Sequence, residues 1–151
     1  FAACLGYVEV ILQLCKQDAD MNMRDVWGRT AMIAAATHLP PPLSSLNTSV
    51  SCLQRRLICI RVLKQLGANE QLQDEEGNTA LHSASSDGFL EAVALLHELG
   101  CQVDRRNEEG NTSMMLAAGA GRGPVVSYLL GVRGDASLKN ASSCTAVMLA
   151  A

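Results

Sequence analysis

Four times in this chain an Asp or Asn opens a short turn that closes on threonine. The copies are Asp25-Val26-Trp27-Gly28-Arg29-Thr30, Asp74-Glu75-Glu76-Gly77-Asn78-Thr79, Asn107-Glu108-Glu109-Gly110-Asn111-Thr112 and Asn140-Ala141-Ser142-Ser143-Cys144-Thr145. Thr79 and Thr112 lie 33 residues apart, as do Thr112 and Thr145, whereas 49 residues separate Thr30 from Thr79. A fixed period of this length constrains the fold strongly. Each period must be one supersecondary unit that cannot bury its apolar face alone and so stacks on its neighbours.

The stretch Asp74 to Asp104 shows the unit complete. Gly77 supplies a turn residue free to take positive φ, and Thr79 is a good helix N-cap. A short helix is expected over Ala80 to Ser86, broken by Asp87-Gly88. A second is expected over Leu90 to Leu99, with Ala92, Val93, Leu95, Leu96 and Leu99 at helical spacing and Gly100 as its left-handed cap. Neither helix is long enough to persist alone in water.

The period divides the chain into a partial repeat over 1–24, repeats over 25–73, 74–106 and 107–139, and a partial repeat over 140–151. The extra residues of the second unit fall between its two helices, as an inserted loop over about 37–54. Pro40-Pro41-Pro42 and a Ser/Thr/Asn run mark it. The second helix is expected to resume near Arg55 and to carry Leu57, Ile60, Leu63 and Leu66 inward. The insertion reads either as a tolerated expansion or as a docking loop.

These residues resemble the ankyrin repeat family. The pattern is Gly77-Asn78-Thr79-Ala80-Leu81-His82-Ser83-Ala84, then Gly88, then Val93-Ala94-Leu95-Leu96 and Gly100, with Gly67-Ala68-Asn69 and Ala19-Asp20 as closing signatures. The resemblance implies an all-α solenoid of stacked helix–turn–helix units with β-hairpin-like turns. It implies that His82 hydrogen-bonds between neighbouring turns. Departures are few. The proline that usually follows each threonine is replaced by Ala31, Ala80, Ser113 and Ala146, and Ile33, Met115 and Met148 stand where His82 stands. Asp18 in the first repeat and Arg133 in the fourth stand where a helix-ending glycine belongs. Arginine disfavours the left-handed region, so Gly131 or Gly134 is expected to take over that cap.

Composition excludes several functions. The net charge is −3 and the pI about 5.5, so no basic surface for nucleic acid is implied overall. Aromatic residues are only 3% of the chain, leaving a core of Ala, Leu, Val, Ile and Met. No apolar run reaches the length of a membrane span. The six cysteines form no CxxC pair and sit at no zinc spacing with histidine. They read as reduced thiols of an intracellular protein, cytoplasmic or nuclear. The first residue is Phe1, so the chain is read as a fragment.

No nucleophile elbow, phosphate loop or zinc-protease motif occurs, so no catalytic residue, cofactor, metal or small-molecule substrate is expected. A surface remains. Stacked repeats form a concave face from their first helices and projecting turn tips. The candidate partner-binding residues are therefore Trp27, Asp74, Glu75, Glu76, Arg106, Glu108 and Glu109. Trp27 either anchors a partner or packs on the adjacent tip. The expected function is a non-catalytic protein–protein interaction scaffold. Two alternatives stand beside it. One is the regulatory or substrate-recruiting region of a larger enzyme (a ubiquitin ligase or kinase) or channel. The other is nucleic-acid binding through Arg55, Arg56, Arg61 and Lys64 on the convex side.

Overall fold

A computed structural model describes residues 7–17, 19–37 and 49–150, with side chains from Leu53 onward in the third helix. Asp18 and the Pro/Ser-containing part of the insertion lie outside the described residues. The described helices are α1 Val8–Cys15, α2 Ala31–Ala36, α3 Ser49–Gln65, α4 Ala80–Asp87, α5 Leu90–Glu98, α6 Ser113–Gly119, α7 Gly123–Gly131 and α8 Ala146–Leu149. No strand occurs among the described residues. The fold is the helical solenoid that the period requires.

The helices form two rows. α2, α4, α6 and α8 pack in succession as an inner row, and α1, α3, α5 and α7 as an outer row, with α2 on α3, α4 on α5 and α6 on α7. The inner row is built from small residues. Ala35, Ala36, Ala84 and Ala117 are fully buried, which lets short helices approach closely. Larger side chains fill the seam between rows, among them Ile33, Ile60, Leu63, Leu81, Leu96, Met114 and Leu129.

Every inner helix begins at the repeated threonine, and the cap explains why threonine stands there. The Thr30, Thr112 and Thr145 side chains accept from the backbone N–H three residues on, satisfying a donor that has no partner within the helix. Thr79 does so in a reciprocal box with His82. The Asp or Asn that opens each turn has a comparable role. The Oδ1 atoms of Asp25, Asp74, Asn107 and Asn140 accept from the N–H four residues later, at 2.8–2.9 Å.

The outer helices α3, α5 and α7 end in left-handed caps. Behind α5, Gly100 has φ 96° and Cys101 N–H reaches Leu96 O at 3.0 Å. Behind α7 the structure departs from the sequence expectation: neither Gly131 nor Gly134 takes over. Arg133 itself adopts φ 68°, and Gly134 N–H bonds Leu129 O at 2.9 Å. The register is held by Gly134. A Cβ there would meet Met114 Cε at 2.8 Å and Leu129 O at 2.9 Å, so glycine is needed one residue past the cap and the strain falls on Arg133. Arg133→Gly should therefore stabilise the protein by about 1 kcal/mol, read as a higher denaturant midpoint at unchanged m-value.

α3 begins at Ser49, six residues ahead of the expected restart at Arg55, so it is the longest described helix. The sequence also misplaced Arg56. Read as a convex surface cation, it is 2% exposed, donates from Nε to Ala35 O at 3.1 Å and lies 5.5 Å from the Phe89 ring centroid. In α4 and α6 the equivalent carbonyls, of Ala84 and Ala117, accept from backbone, Phe89 N–H at 2.9 Å and Arg122 N–H at 2.8 Å. Arg56 is the residue that stands at the Phe89 and Arg122 position, 33 residues before Phe89. Phe89 and Arg122 cap their helices, but with α3 begun at Ser49 Arg56 lies inside its helix, and its long side chain reaches back to cover the same carbonyl. Lys64 is likewise engaged, in an ion pair with Glu70. The expected basic cluster is thus reduced to exposed Arg55 and Arg61.

Candidate functional site

The turn tips stack in one line. Glu75 N–H donates to Trp27 O at 3.2 Å, Glu108 N–H to Glu76 O at 3.1 Å and Ala141 N–H to Glu109 O at 2.9 Å. Such close approach requires the turn glycines. At Gly77, φ is +76° and an added Cβ would lie 2.6 Å from Glu108 N. Side chains extend the stack: Asn107 Nδ2 donates to Asn78 Oδ1 at 2.9 Å, and Asn140 Nδ2 to Asn111 Oδ1 at 2.8 Å. At the first junction this link is absent, because Asp74 cannot donate and Arg29 stands where Asn78 and Asn111 stand.

Tips and inner helices together line a groove of about 700 Å³. Of the candidate residues, it brings together Trp27, Asp74, Glu75, Glu76, Glu108 and Glu109. Arg106 does not line it. Its side chain is exposed and its carbonyl accepts from Gln73 Nε2 at 3.1 Å. The sequence places the first helices in this concave face but does not name the residues of the groove's floor. Ser83, Ser86 and Asp87 of α4, Leu116 of α6, and Thr37 beyond α2 all face it. The signal was present in α4, where Ser83, Ser86 and Asp87 share the helix face opposite buried Leu81 and Ala84.

Trp27 does not pack under the next tip. It is 60% exposed, with the Arg29 guanidinium 4.5 Å from its ring centroid. Arg29 is held in turn by Asp25, through Nε at 2.9 Å and Nη2 at 2.8 Å. Burial pulls the Asp25 carboxyl upward, but Arg29 and the backbone N–H groups of Arg29 and Trp27 outweigh it and keep the group below its ordinary value. Among the described residues no cation pairs with Asp74, Glu75, Glu76, Glu108 or Glu109.

His82 forms part of the scaffold. Its Nδ1 accepts from Thr79 N–H at 3.2 Å, which leaves Nε2 to donate to Asn111 O at 3.1 Å, in the neighbouring turn. Burial pushes its pKa down from 6.5, more strongly than the nearby carbonyls raise it. The folded ring therefore binds its proton more weakly than the unfolded one. Its contribution is complete above pH 6.5 and is lost as pH falls from there through the lower folded value. Between pH 7.5 and 5.5 the melting temperature should fall more steeply in the wild type than in His82→Gln. Parallel slopes would refute the assignment.

Burial raises the thiols of Cys59 and Cys101 to about 11 and about 12, so both stay protonated. Among the described residues no three His, Cys, Asp or Glu side chains form a group that could hold a metal ion. No described helix is long and apolar enough to cross a membrane.

Comparison with known proteins agrees with the geometry. Over 61 residues the chain is 39% identical to human protein phosphatase 1 regulatory subunit 27. The alignment covers 40% of this chain and 38% of that relative, so the chain spans well under half the length of the protein it matches. Residues 50–140 match the family model for ankyrin repeats in three copies. The period, the threonine caps and the bridging histidine have one explanation: the chain belongs to the ankyrin repeat family.

Proposed function

We propose that this chain is a non-catalytic interaction scaffold that binds a protein partner along its groove. Repeat units over 25–73, 74–106 and 107–139 hold the tips in line, and specificity comes from the side chains at the tips and on the inner helices. One observation carries this reading. Side chains from several stacked units converge on one open groove of about 700 Å³, bounded by an exposed tryptophan and by tip carboxylates, Glu75, Glu76, Glu108 and Glu109, that have no cation partner among the described residues. A rigid solenoid of this kind presents an extended surface at little ordering cost. No two of the described cysteines are joined in a disulfide, which fits a reducing compartment, cytoplasm or nucleus.

A second reading follows from the relative's name. The stretch shared with a phosphatase regulatory subunit favours a role for this chain as the regulatory or recruiting part of an enzyme assembly. The two readings use the same surface and differ in what is held there.

The test is affinity capture from cell extract with three baits besides the wild type. Trp27→Ala and the quadruple reversal Glu75→Lys, Glu76→Lys, Glu108→Lys, Glu109→Lys should each lose proteins that the convex-side variant Arg61→Glu retains. Truncating an exposed aromatic anchor typically costs about 2 kcal/mol or more of binding, roughly thirtyfold in Kd. If both groove variants retain every partner, the proposal fails.

A further inference from the structure

The first tip differs in chemistry from the two that follow. Val26 is 78% exposed and Met23 69%, beside Trp27, whereas the next tips present Glu75-Glu76 and Glu108-Glu109. An apolar knob thus stands at one end of a groove whose other tips are acidic. Five carboxylates of the tips line the groove, those of Asp74, Glu75, Glu76, Glu108 and Glu109, against one guanidinium, Arg29. That guanidinium is bound to Asp25 and stacked on Trp27. The potential inside the groove is therefore negative. A groove with a single sign of charge favours a complementary occupant and speeds its arrival.

Geometry adds a spacing. Packed helices of successive units lie about 8–10 Å apart, and an extended chain advances about 3.3 Å per residue. A segment running along the tips therefore meets a new tip about every third residue. On the interaction reading above, we infer that the groove takes an extended basic segment of a protein partner. A bulky apolar residue of that segment seats on Trp27 and Val26, and Lys or Arg follow about three and six residues away, opposite Glu75-Glu76 and Glu108-Glu109. Arg29 is a positioning residue in this scheme, because its bond to Asp25 fixes the indole that receives the anchor.

Trp27 is the single tryptophan of the chain, so its emission reports on this tip directly. The probe is the peptide Ac-Leu-Ser-Ser-Lys-Ser-Ser-Arg-amide. It is compared with an isomer that has Lys and Arg adjacent to Leu, and with a version carrying Glu in place of Lys and Arg. Titration should shift Trp27 emission to the blue with the ordered peptide. Binding should be about fivefold or more weaker for the isomer and should weaken as salt screens the charges. The quadruple Glu→Lys protein, followed by calorimetry, should not bind. Equal binding of ordered and scrambled peptides, binding of the Glu peptide, or no response to any peptide overturns the inference. If peptides give no response while Trp27→Ala still loses partners in capture, only the basic segment is refuted. If both fail, the groove reading falls with it.

Discussion

Gly77→Ala should destabilise this protein by about 3 kcal/mol, while Gly67→Ala should cost only about 1 kcal/mol, although both glycines are left-handed. At Gly67 φ is +85° and an added Cβ meets nothing within 4 Å, so the cost is the backbone strain alone. At Gly77 φ is +76° and the Cβ would lie 2.6 Å from Glu108 N and 3.0 Å from Glu108 Cγ. That N–H is the one donated to Glu76 O. Alanine must push the second and third tips apart and break their link, adding the loss of a hydrogen bond to the strain. For a chain of 151 residues, about 3 kcal/mol corresponds to a melting shift of roughly 6–12 °C. Denaturant titration of the two variants side by side is the measurement. Equal losses would mean that the tips are not in contact, and would remove the basis for a continuous groove.

The second large effect is expected at Arg56. Truncation to Ala removes the donor to Ala35 O and leaves a carbonyl at a buried helix end without it, together with a void against Phe89. The loss should be about 3 kcal/mol. Arg61→Ala, on the exposed face of the same helix, should change stability by about 0.5 kcal/mol at most. The cause assigned to Arg56 can be tested more sharply. Replacing residues 38–55 by Asp-Gly would restore the uninterrupted turn of α4, in which backbone N–H groups cover the carbonyls. In that background the Ala35 carbonyl has a backbone donor, and Arg56→Ala should cost less than half as much. A cycle with no coupling between the two changes would show that Arg56 does not compensate for the insertion.

These two sites also separate what could be read in advance from what could not. The threonine caps and the turn glycines were visible, because each is a local requirement: an orphan N–H, a left-handed φ. The role of His82 followed from the resemblance to the ankyrin repeat family. Arg56 and Arg133 were both misread, for related reasons. A charged residue on a helix was taken as exposed, because nothing nearby in sequence announces a carbonyl 21 residues back that needs a donor. An arginine was denied a left-handed conformation because its intrinsic cost is visible, whereas the crowding that immobilises Gly134 comes from Met114, on another helix.

The candidate site shows the same division. Its acidic tips and Trp27 followed from phase alone, since a 33-residue period puts the same turn position at the same place in every unit. That Arg106 lies outside the groove while Arg29 and Asp87 lie within it did not. Phase assigns a residue to a tip, but which side of the tip a side chain occupies depends on the stacking of one turn on the next. The sequence by itself determined the repeat, the helix starts and the acidic character of the tips, because these depend on contacts within one unit or at a fixed interval. Only the tertiary structure decided which charges are buried, which carry strain and which line the groove, because those outcomes are set by the nearest atoms of other helices and turns, and neither composition nor period encodes their distances.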